Sequence, residues 1–204
     1  MAFNENTRVK IPAILHLCRL GYTYQSLSNA KRDEGTNIFT EIFAESILRI
    51  NPDADESDVK RLFEDVSLAL DNEDLGKAFY ELLTATSGIR LIDFKNFDNN
   101  SFHVVTELPY KNGDDEFRPD ITLLINGMPL AFVEVKKPNN QEGVLAERDR
   151  INRRFKNKKF RKFINVSQLF VFSNNMEYDT ESIEPIQGVF YALAFIFQRK
   201  LQLF

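Results

Sequence analysis

The sequence contains few of the residues that several common kinds of protein site require. Among its 204 residues there is one cysteine, Cys18, which excludes an internal disulfide and a cysteine-based zinc cluster and is typical of a reducing compartment. The two histidines lie far apart and form no zinc motif. Neither G-x-S-x-G nor G-x-x-x-x-G-K-[ST] occurs, so we expect no serine-hydrolase site and no ATP site.

Long hydrophobic runs are also missing. The longest, "GVFYALAFIF" at 188–197, is far short of the ~20 residues that cross a bilayer, and from the polar start we expect no signal peptide. Hydrophobic residues make up 43% of the chain and include 19 phenylalanines, so a hydrophobic core can still form. No linker rich in Gly or Pro divides the chain, so we expect one cytoplasmic domain over 1–204 that does not contact a membrane.

The net charge of −4 is unevenly distributed. Nine of the 26 Lys and Arg residues lie between Arg148 and Lys162, where Asp149 is the single acid. The rest of the chain holds 17 basic and 29 acidic residues. This is an acidic protein with one concentrated basic segment, which predicts contact with an anionic partner at that segment.

Apolar periodicity divides the chain into two parts. Residues 1–95 have mainly helical spacing, in four segments at 9–22, 37–51, 57–70 and 77–88. Asn37 and Ser57 are predicted N-caps, whereas Gly21 and Gly88 are predicted to follow helix ends.

Residues 96–204 change to the period of β-strands. Strands are predicted at 102–108, 120–125, 130–136 and 167–174, and the last is apolar enough to be buried on both faces. The basic segment returns to helical character, while 188–204 fits either strand or helix. The pattern favours an α/β domain with a mixed β-sheet flanked by helices.

The hairpin "RPDITLLINGMPLAFVEVKKP", at 118–138, carries charges that a buried hairpin does not need. Glu134 and Lys136 share one face of their strand, and Asp120 begins the neighbouring strand. Carboxylate oxygens suit Mg²⁺, and a lysine can orient water or neutralise developing charge. The alternative is a solvated edge strand, but apolar residues on both faces favour a central strand, where buried charges are costly.

The register of this hairpin decides whether the charges meet. A strict two-residue Asn-Gly turn would pair Asp120 with Val133. Because directly paired residues share a face, Asp120 would then point away from Glu134. One extra residue restores the shared face, and Gly127 and Pro129 permit such an irregularity. We therefore predict a bulged or longer turn.

The residues of this hairpin resemble a known motif. "RPD" and "EVK" resemble the PD-(D/E)XK nuclease motif. The longer strings "DITLLINGMPLAFVEVKKP", "LFVFSNNMEY" and "LCRLGY" resemble the N-terminal nuclease region of type I restriction enzyme R subunits, over residues 15–191. The resemblance implies a restriction-endonuclease-like fold and Mg²⁺-dependent cleavage of double-stranded DNA, with Mn²⁺ as a possible substitute.

The resemblance also implies roles for individual residues. The implied metal ligands are the carboxylates of Asp120 and Glu134 and the backbone carbonyl of Val135. Lys136 would act on the attacking water. An acid from an early helix often completes such sites, and Glu41 and Glu45 are candidates, although a solvated helix face is the simpler interpretation of either.

For the basic segment, the resemblance implies a track along the DNA backbone. The candidate DNA-binding residues are Arg148, Arg150, Arg153, Arg154, Lys156, Lys158 and Lys159. Some family members carry Gln-x-x-x-Tyr on this helix, but the nearest register here, Ile151 to Phe155, keeps neither residue type. The alternative is an exposed helix whose phenylalanines, Phe155, Phe160 and Phe163, pack inward.

The family's R subunits are much longer than this chain and carry ATP-driven motor domains. They act with modification and specificity subunits. The resemblance therefore implies a fragment that lacks the motor. Two other functions stay open: a standalone repair or junction nuclease, and a non-catalytic DNA-binding or docking module on the same fold.

Overall fold

The computed structural model describes residues 6–112, 114–136, 146, 149–154, 156–173 and 190–194. Six helices are named here in chain order: α1 Ile11–Arg19, α2 Thr40–Ile50, α3 Glu56–Ala69, α4 Lys77–Leu83, α5 at 149–154 and α6 Arg161–Val166. A π-helical turn, Asn6–Lys10, precedes α1. No helix in these ranges has the length and apolar character needed to cross a membrane.

In the described part of the chain, eight strands form a mixed sheet and a small ribbon. The strands are β1 Thr23–Tyr24, β2 Phe102–Thr106, β3 Tyr110–Asn112, β4 Asp115–Phe117, β5 Ile121–Ile125, β6 Met128–Val135, β7 Leu169–Ser173 and β8 Phe190–Ala194. The order in the sheet is β1-β2-β5-β6-β7-β8, and β3 pairs with β4 separately. The pairs β1–β2 and β6–β7 are parallel and the other pairs are antiparallel.

Helices cover both faces of this sheet. On one face, Val9 of the π-helical turn packs with Val104, Ile121 and Val135. On the other face, phenylalanines of β6 and β7 pack against α6. Helices α2, α3 and α4 form a further cluster with the start of β6. The predicted α/β fold with a mixed sheet flanked by helices is confirmed.

Phe163 of α6 is the centre of an aromatic cluster beneath the sheet. Its ring lies 4.6 Å from Tyr110, 4.7 Å from Phe117, 4.8 Å from Phe132 and 5.5 Å from Phe170, between ring centroids. Edge-to-face pairs at these distances add to the free energy of burial. The cluster therefore fixes the β3–β4 ribbon, which leads directly into β5, against the central strands.

Two predicted N-caps are wrong. Asn37 has a φ of 60° and α2 begins later, because the Asn37 Oδ1 that a cap would use accepts from the Arg32 guanidinium, while the Asn37 amide donates to the carbonyl of Pro109, at 3.0 Å. In α3 the cap is Asp55, whose side chain accepts from the backbone N–H groups of Ser57 and Asp58. Asp58 returns the interaction and completes a capping box, which leaves Ser57 inside the helix.

Other boundaries also differ from expectation. Helix α4 ends at Leu83 rather than near Gly88. The basic segment is not one helix: α5 is followed by a 3₁₀ turn, Lys158–Phe160, which Asn157 caps before α6 begins. The ambiguous C-terminal segment contains strand β8 at Phe190–Ala194.

The turn between β5 and β6 is held tightly in place. Asn126 and Gly127 both have positive φ, 50° and 78°, as in a type I′ turn. The buried Asn126 amide donates to Leu91 O and Asn100 Oδ1, both at 2.8 Å. Gly127 O accepts from Phe39 N at 2.9 Å, directly before α2. The turn is therefore docked against the N-terminus of α2.

Replacing Gly127 by alanine should destabilise the fold more than the same change at Gly88. Both glycines have φ near 75–78°, but a Cβ at Gly127 would lie 2.7 Å from Phe39 O and Phe43 N, whereas a Cβ at Gly88 meets nothing within 4 Å. We expect Gly88→Ala to cost about 1 kcal/mol from backbone strain alone and Gly127→Ala about 3 kcal/mol. Urea unfolding of the two variants measures the difference, and equal losses would contradict the close packing of the turn.

Candidate active site

The hairpin of β5 and β6 contains one extra residue. Its register is Ile125–Met128, Leu124–Pro129, Leu123–Ala131, Thr122–Phe132 and Ile121–Val133. Leu130 has no partner in β5, so the turn keeps two residues and the irregularity is a bulge in the strand. The predicted extra residue is confirmed, but it lies in β6 at Leu130, and the predicted bulged or longer turn is wrong because the turn itself has two residues. If this pairing is continued by one residue, Asp120 lies opposite Glu134, and the two side chains are on the same face of the sheet.

The sequence around Leu130 explains why the bulge forms there. Pro129 has no N–H group to give to the ladder. The carbonyl of Leu130 accepts instead from Gln168 N, at 2.8 Å, where the chain enters β7. The Leu130 side chain is buried in the cluster of α2, α3 and α4. The extra residue is therefore satisfied by both a hydrogen bond and packing.

Asp120 lies directly before β5 and its side chain is only 15% exposed. Its Oδ2 accepts from the backbone N–H of Val135 at 3.0 Å. Lys136 Nζ lies 4.0 Å from the same oxygen, and Lys10 Nζ lies 3.0 Å from Oδ1. The carboxylate is thus oriented by a backbone donor and lies between two ammonium groups.

Glu134 is 7% exposed on a strand that has β5 on one side and β7 on the other. Its partner in β7 is Phe172, and Phe132 precedes it on the same face. Because β6 is an interior strand, the alternative of a solvated edge strand is wrong. A buried carboxylate in such surroundings costs free energy unless cations or a metal compensate it.

Lys10 belongs to this group, although no pattern in the sequence points to it. Its ammonium contacts the carboxylates of Glu107 and Asp120, and its side chain is 11% exposed. Burial lowers the pKa of Lys10, but hydrogen bonds to Glu107 and Asp120 outweigh burial, so the net pKa is raised. Lys10 therefore carries its charge throughout the neutral pH range.

The donor set fits Mg²⁺. Asp120 and Glu134 supply hard carboxylate oxygens from one face, and a Mg²⁺ ion usually keeps several waters and takes phosphate as a further ligand. Within the described residues, no three His, Cys, Asp or Glu side chains form a group able to hold a metal. A bound ion would therefore need further ligands from the backbone, such as the Val135 carbonyl, from water or from phosphate.

Neither early-helix acid is brought to Asp120. Glu41 forms an ion pair with Lys31 at 2.7 Å, at the start of α2, which packs on the turn at the other end of the hairpin. Glu45 lines a separate cavity of about 650 Å³ with Arg49 and His103. Burial, followed by the charge of Arg49, lowers the pKa of His103 in this cavity.

Six of the seven predicted DNA-binding residues are described by the structure, and they fall into three groups. Arg150, Arg153 and Lys156 have exposed side chains, while Ile151 of the same helix is buried in the core. The Arg154 guanidinium stacks 4.1 Å above the Phe117 ring. Lys158 and Lys159 form ion pairs with Glu73 at 3.3 Å and Asp115 at 3.6 Å. Arg148 lies outside the described residues.

The inward-packing alternative for this segment is correct for some of its residues. Phe160 and Phe163 are buried in the core, and Phe155 lies outside the described residues. Packing of these rings does not compete with contacts by the exposed arginines, since the two sets point in different directions. The segment therefore combines a buried aromatic side with an exposed basic side.

Comparison with known proteins gives relatives of one kind. The chain is 30% identical to a provisionally named type I restriction enzyme MjaIXP endonuclease subunit of Methanocaldococcus jannaschii, over 85% of this chain and 19% of the relative. It is 29% identical to the type I restriction enzyme HindI endonuclease subunit of Haemophilus influenzae, over 58% of this chain and 13% of the relative. The chain spans about a fifth of the length of the first relative.

A family profile described as "Type I restriction enzyme R protein N terminus" matches residues 2–183. This match covers most of the chain, including the π-helical turn, the bulged hairpin and β7. The chain belongs to the family of type I restriction enzyme R protein N-terminal domains.

Proposed function

We propose that this domain hydrolyses phosphodiester bonds of double-stranded DNA with Mg²⁺, as the nuclease region of a type I restriction R subunit. The observation that carries the proposal is the bulge at Leu130, which puts Asp120 and Glu134 on one face with Lys136 Nζ 4.0 Å from Asp120. Family membership supports it, because the relatives are named as endonuclease subunits.

In this mechanism Asp120, Glu134 and the Val135 carbonyl would hold the metal. When bound, Mg²⁺ supplies charge stabilisation at the phosphate and makes its bound water more acidic. The Val135 N–H fixes the orientation of the Asp120 carboxylate through Oδ2. Lys136, on the same strand end, orients the attacking water or neutralises the charge that develops on the phosphate.

DNA contact is proposed for the exposed side of the basic segment. Arg150, Arg153 and Lys156 project from α5 and the turn after it, and their contacts with phosphates would carry no sequence information. Lys158 and Lys159 would have to exchange their carboxylate partners, Glu73 and Asp115, for phosphate. Sequence recognition is therefore assigned to another subunit.

The proposed partners rest on membership of the family, whose first relative is much longer than this chain. In an R subunit, we propose that this domain works beside ATP-driven motor domains and with modification and specificity subunits. The chain itself contains no phosphate-binding loop of the G-x-x-x-x-G-K-[ST] type. Energy from ATP would then reach the nuclease only through the motor domains.

A non-catalytic DNA-docking module is the second candidate function. It is favoured by Lys10, whose ammonium contacts Asp120 where a metal ligand is needed, and by the lack of a three-acid group in the described ranges. A standalone nuclease has no comparable observation in its favour. Metal binding separates the two candidates.

We expect the chain to bind Mg²⁺ or Mn²⁺, and Glu134→Gln to weaken binding at least tenfold, or ~1.4 kcal/mol, because one of two carboxylate ligands is neutralised. Glu41→Gln, an equal charge change on α2, should leave the affinity unchanged. Titration calorimetry on the three proteins, with and without a short DNA duplex, measures this.

The outcomes of that titration distinguish three models of the site. Loss of binding in Glu41→Gln rather than Glu134→Gln would move the site to α2. No binding by any protein, even with DNA present, would favour the docking module over the nuclease.

Cleavage by an R subunit that carries this domain should depend on the site residues. Asp120→Asn, Glu134→Gln and Lys136→Met should each reduce DNA cleavage by at least ~10² fold, since each removes charge that the reaction needs. ATP hydrolysis should be unchanged. If all three variants also lost ATP hydrolysis, the residues would be structural.

DNA binding by the isolated chain should depend strongly on salt. With about five phosphate contacts, log K should fall against log salt with a slope near −4.5. Arg153→Gln should make the slope shallower by about 0.9, whereas Lys158→Gln should change it less, because Lys158 is already paired with Glu73. Fluorescence anisotropy at four salt concentrations measures the slopes, and a slope near zero would contradict a phosphate track.

A further inference from the structure

Lys10 is the feature of the site that the proposed reaction does not yet use. Its ammonium bridges Glu107 and Asp120, and it comes from a π-helical turn more than 90 residues earlier in the chain. Single π-helical turns occur frequently at functional sites. A lysine held by two carboxylates in a shielded position, one of them a proposed metal ligand, needs an explanation beyond stability.

The backbone holds Lys10 in this position. Val9 is 1% exposed and packs with Val104, Ile121 and Val135, on the strands that carry the acids. Glu107 continues β2 by one residue, with φ of 54°, and its N–H donates to Asp120 O at 3.3 Å. Val9, Glu107 and Asp120 are thus anchored to the sheet. Lys10 can therefore leave Asp120 only by a change in the conformation of its own side chain.

Both oxygens of Asp120 are engaged in this arrangement. Oδ2 accepts from Val135 N, and Oδ1 is 3.0 Å from Lys10 Nζ. A divalent ion at Asp120 must therefore compete with the ammonium, by direct displacement or by charge repulsion. A phosphate beside that ion would lie next to Lys10 and would offer the ammonium a new anionic partner.

We propose that Lys10 exchanges Asp120 for the DNA phosphate at the cleavage site: it pairs with Asp120 when DNA is absent and binds a phosphate oxygen when DNA and metal arrive. This inference rests on the proposed function. It adds a substrate-binding residue to the site and makes the binding of metal and the binding of DNA mutually dependent.

The proposal predicts opposite effects of one substitution on two ligands. Lys10→Met keeps the length of the side chain and removes its charge. Mn²⁺ titrated alone should bind Lys10→Met about tenfold more tightly than wild type, since its competitor is gone. DNA binding with Mn²⁺ present should lose one phosphate contact, so its log–log salt slope should become shallower by about 0.9.

Matched variants separate this role from a structural one. Lys31→Met also removes a lysine from a carboxylate pair, with Glu41 at 2.7 Å, but far from Asp120, and should change neither measurement. Lys10→Arg keeps the charge and should stay near wild type in both. Thermal unfolding of each variant shows whether it is folded, and a merely structural lysine would not strengthen metal binding when removed.

Each outcome of the titration decides something different. If wild type binds Mn²⁺ and Lys10→Met binds it equally or more weakly, the exchange is wrong while the proposed metal site stands. If neither protein binds Mn²⁺, with or without DNA, the metal site and the exchange are both wrong. An unchanged salt slope in Lys10→Met would remove Lys10 from the phosphate contacts.

Discussion

The single extra residue in β6 is the constraint on which the candidate site depends. Side chains alternate between the faces of a strand, so a shift of one residue moves every later side chain to the opposite face. With Leu130 outside the ladder, Glu134 faces Asp120 rather than pointing to the other side of the sheet. The docked turn before the bulge and the parallel pairing with β7 after it hold this register from both ends.

The site also depends on a balance of charge in a shielded place. Asp120 and Glu134 are both largely buried, and two carboxylates facing each other across a strand pair repel. The Lys10 ammonium lies near Oδ1 of Asp120, and the Lys136 ammonium lies near Oδ2. Without these cations the repulsion between the two acids would be uncompensated in a site that is largely shielded from water.

Local patterns in the sequence were sufficient for the parts of the site that depend on strand periodicity. The shared face of Glu134 and Lys136 and the need for an extra residue follow from period two alone, and the structure confirms the bulge. Strand periodicity could not show that Asn37 is not an N-cap. The hydrogen bond from the Asn37 amide to the Pro109 carbonyl joins residues 72 positions apart, and no local pattern predicts it.

Long-range docking explains the other differences. Glu41 and Glu45 were candidates because they lie on an early helix, but α2 docks at the turn end of the hairpin, which no local pattern specifies. Lys10 was missed for the same reason: it reaches the site only because Val9 packs under β2, β5 and β6. Periodicity therefore identifies which strand residues share a face, whereas the helix packing decides what else reaches that face.

The net charge of the site bears on how it would bind a metal ion and a phosphate. Glu107, Asp120 and Glu134 with Lys10 and Lys136 carry three negative and two positive charges when all are ionised. A divalent ion alone changes the net charge of this group from negative to positive, and one phosphate charge as well brings the net charge to zero. A partly buried site favours the neutral combination, since uncompensated charge is costly where water is excluded. Metal and DNA phosphate should therefore bind together more strongly than either alone, and Lys10, which lies next to Asp120, is the group whose partner must change when they do.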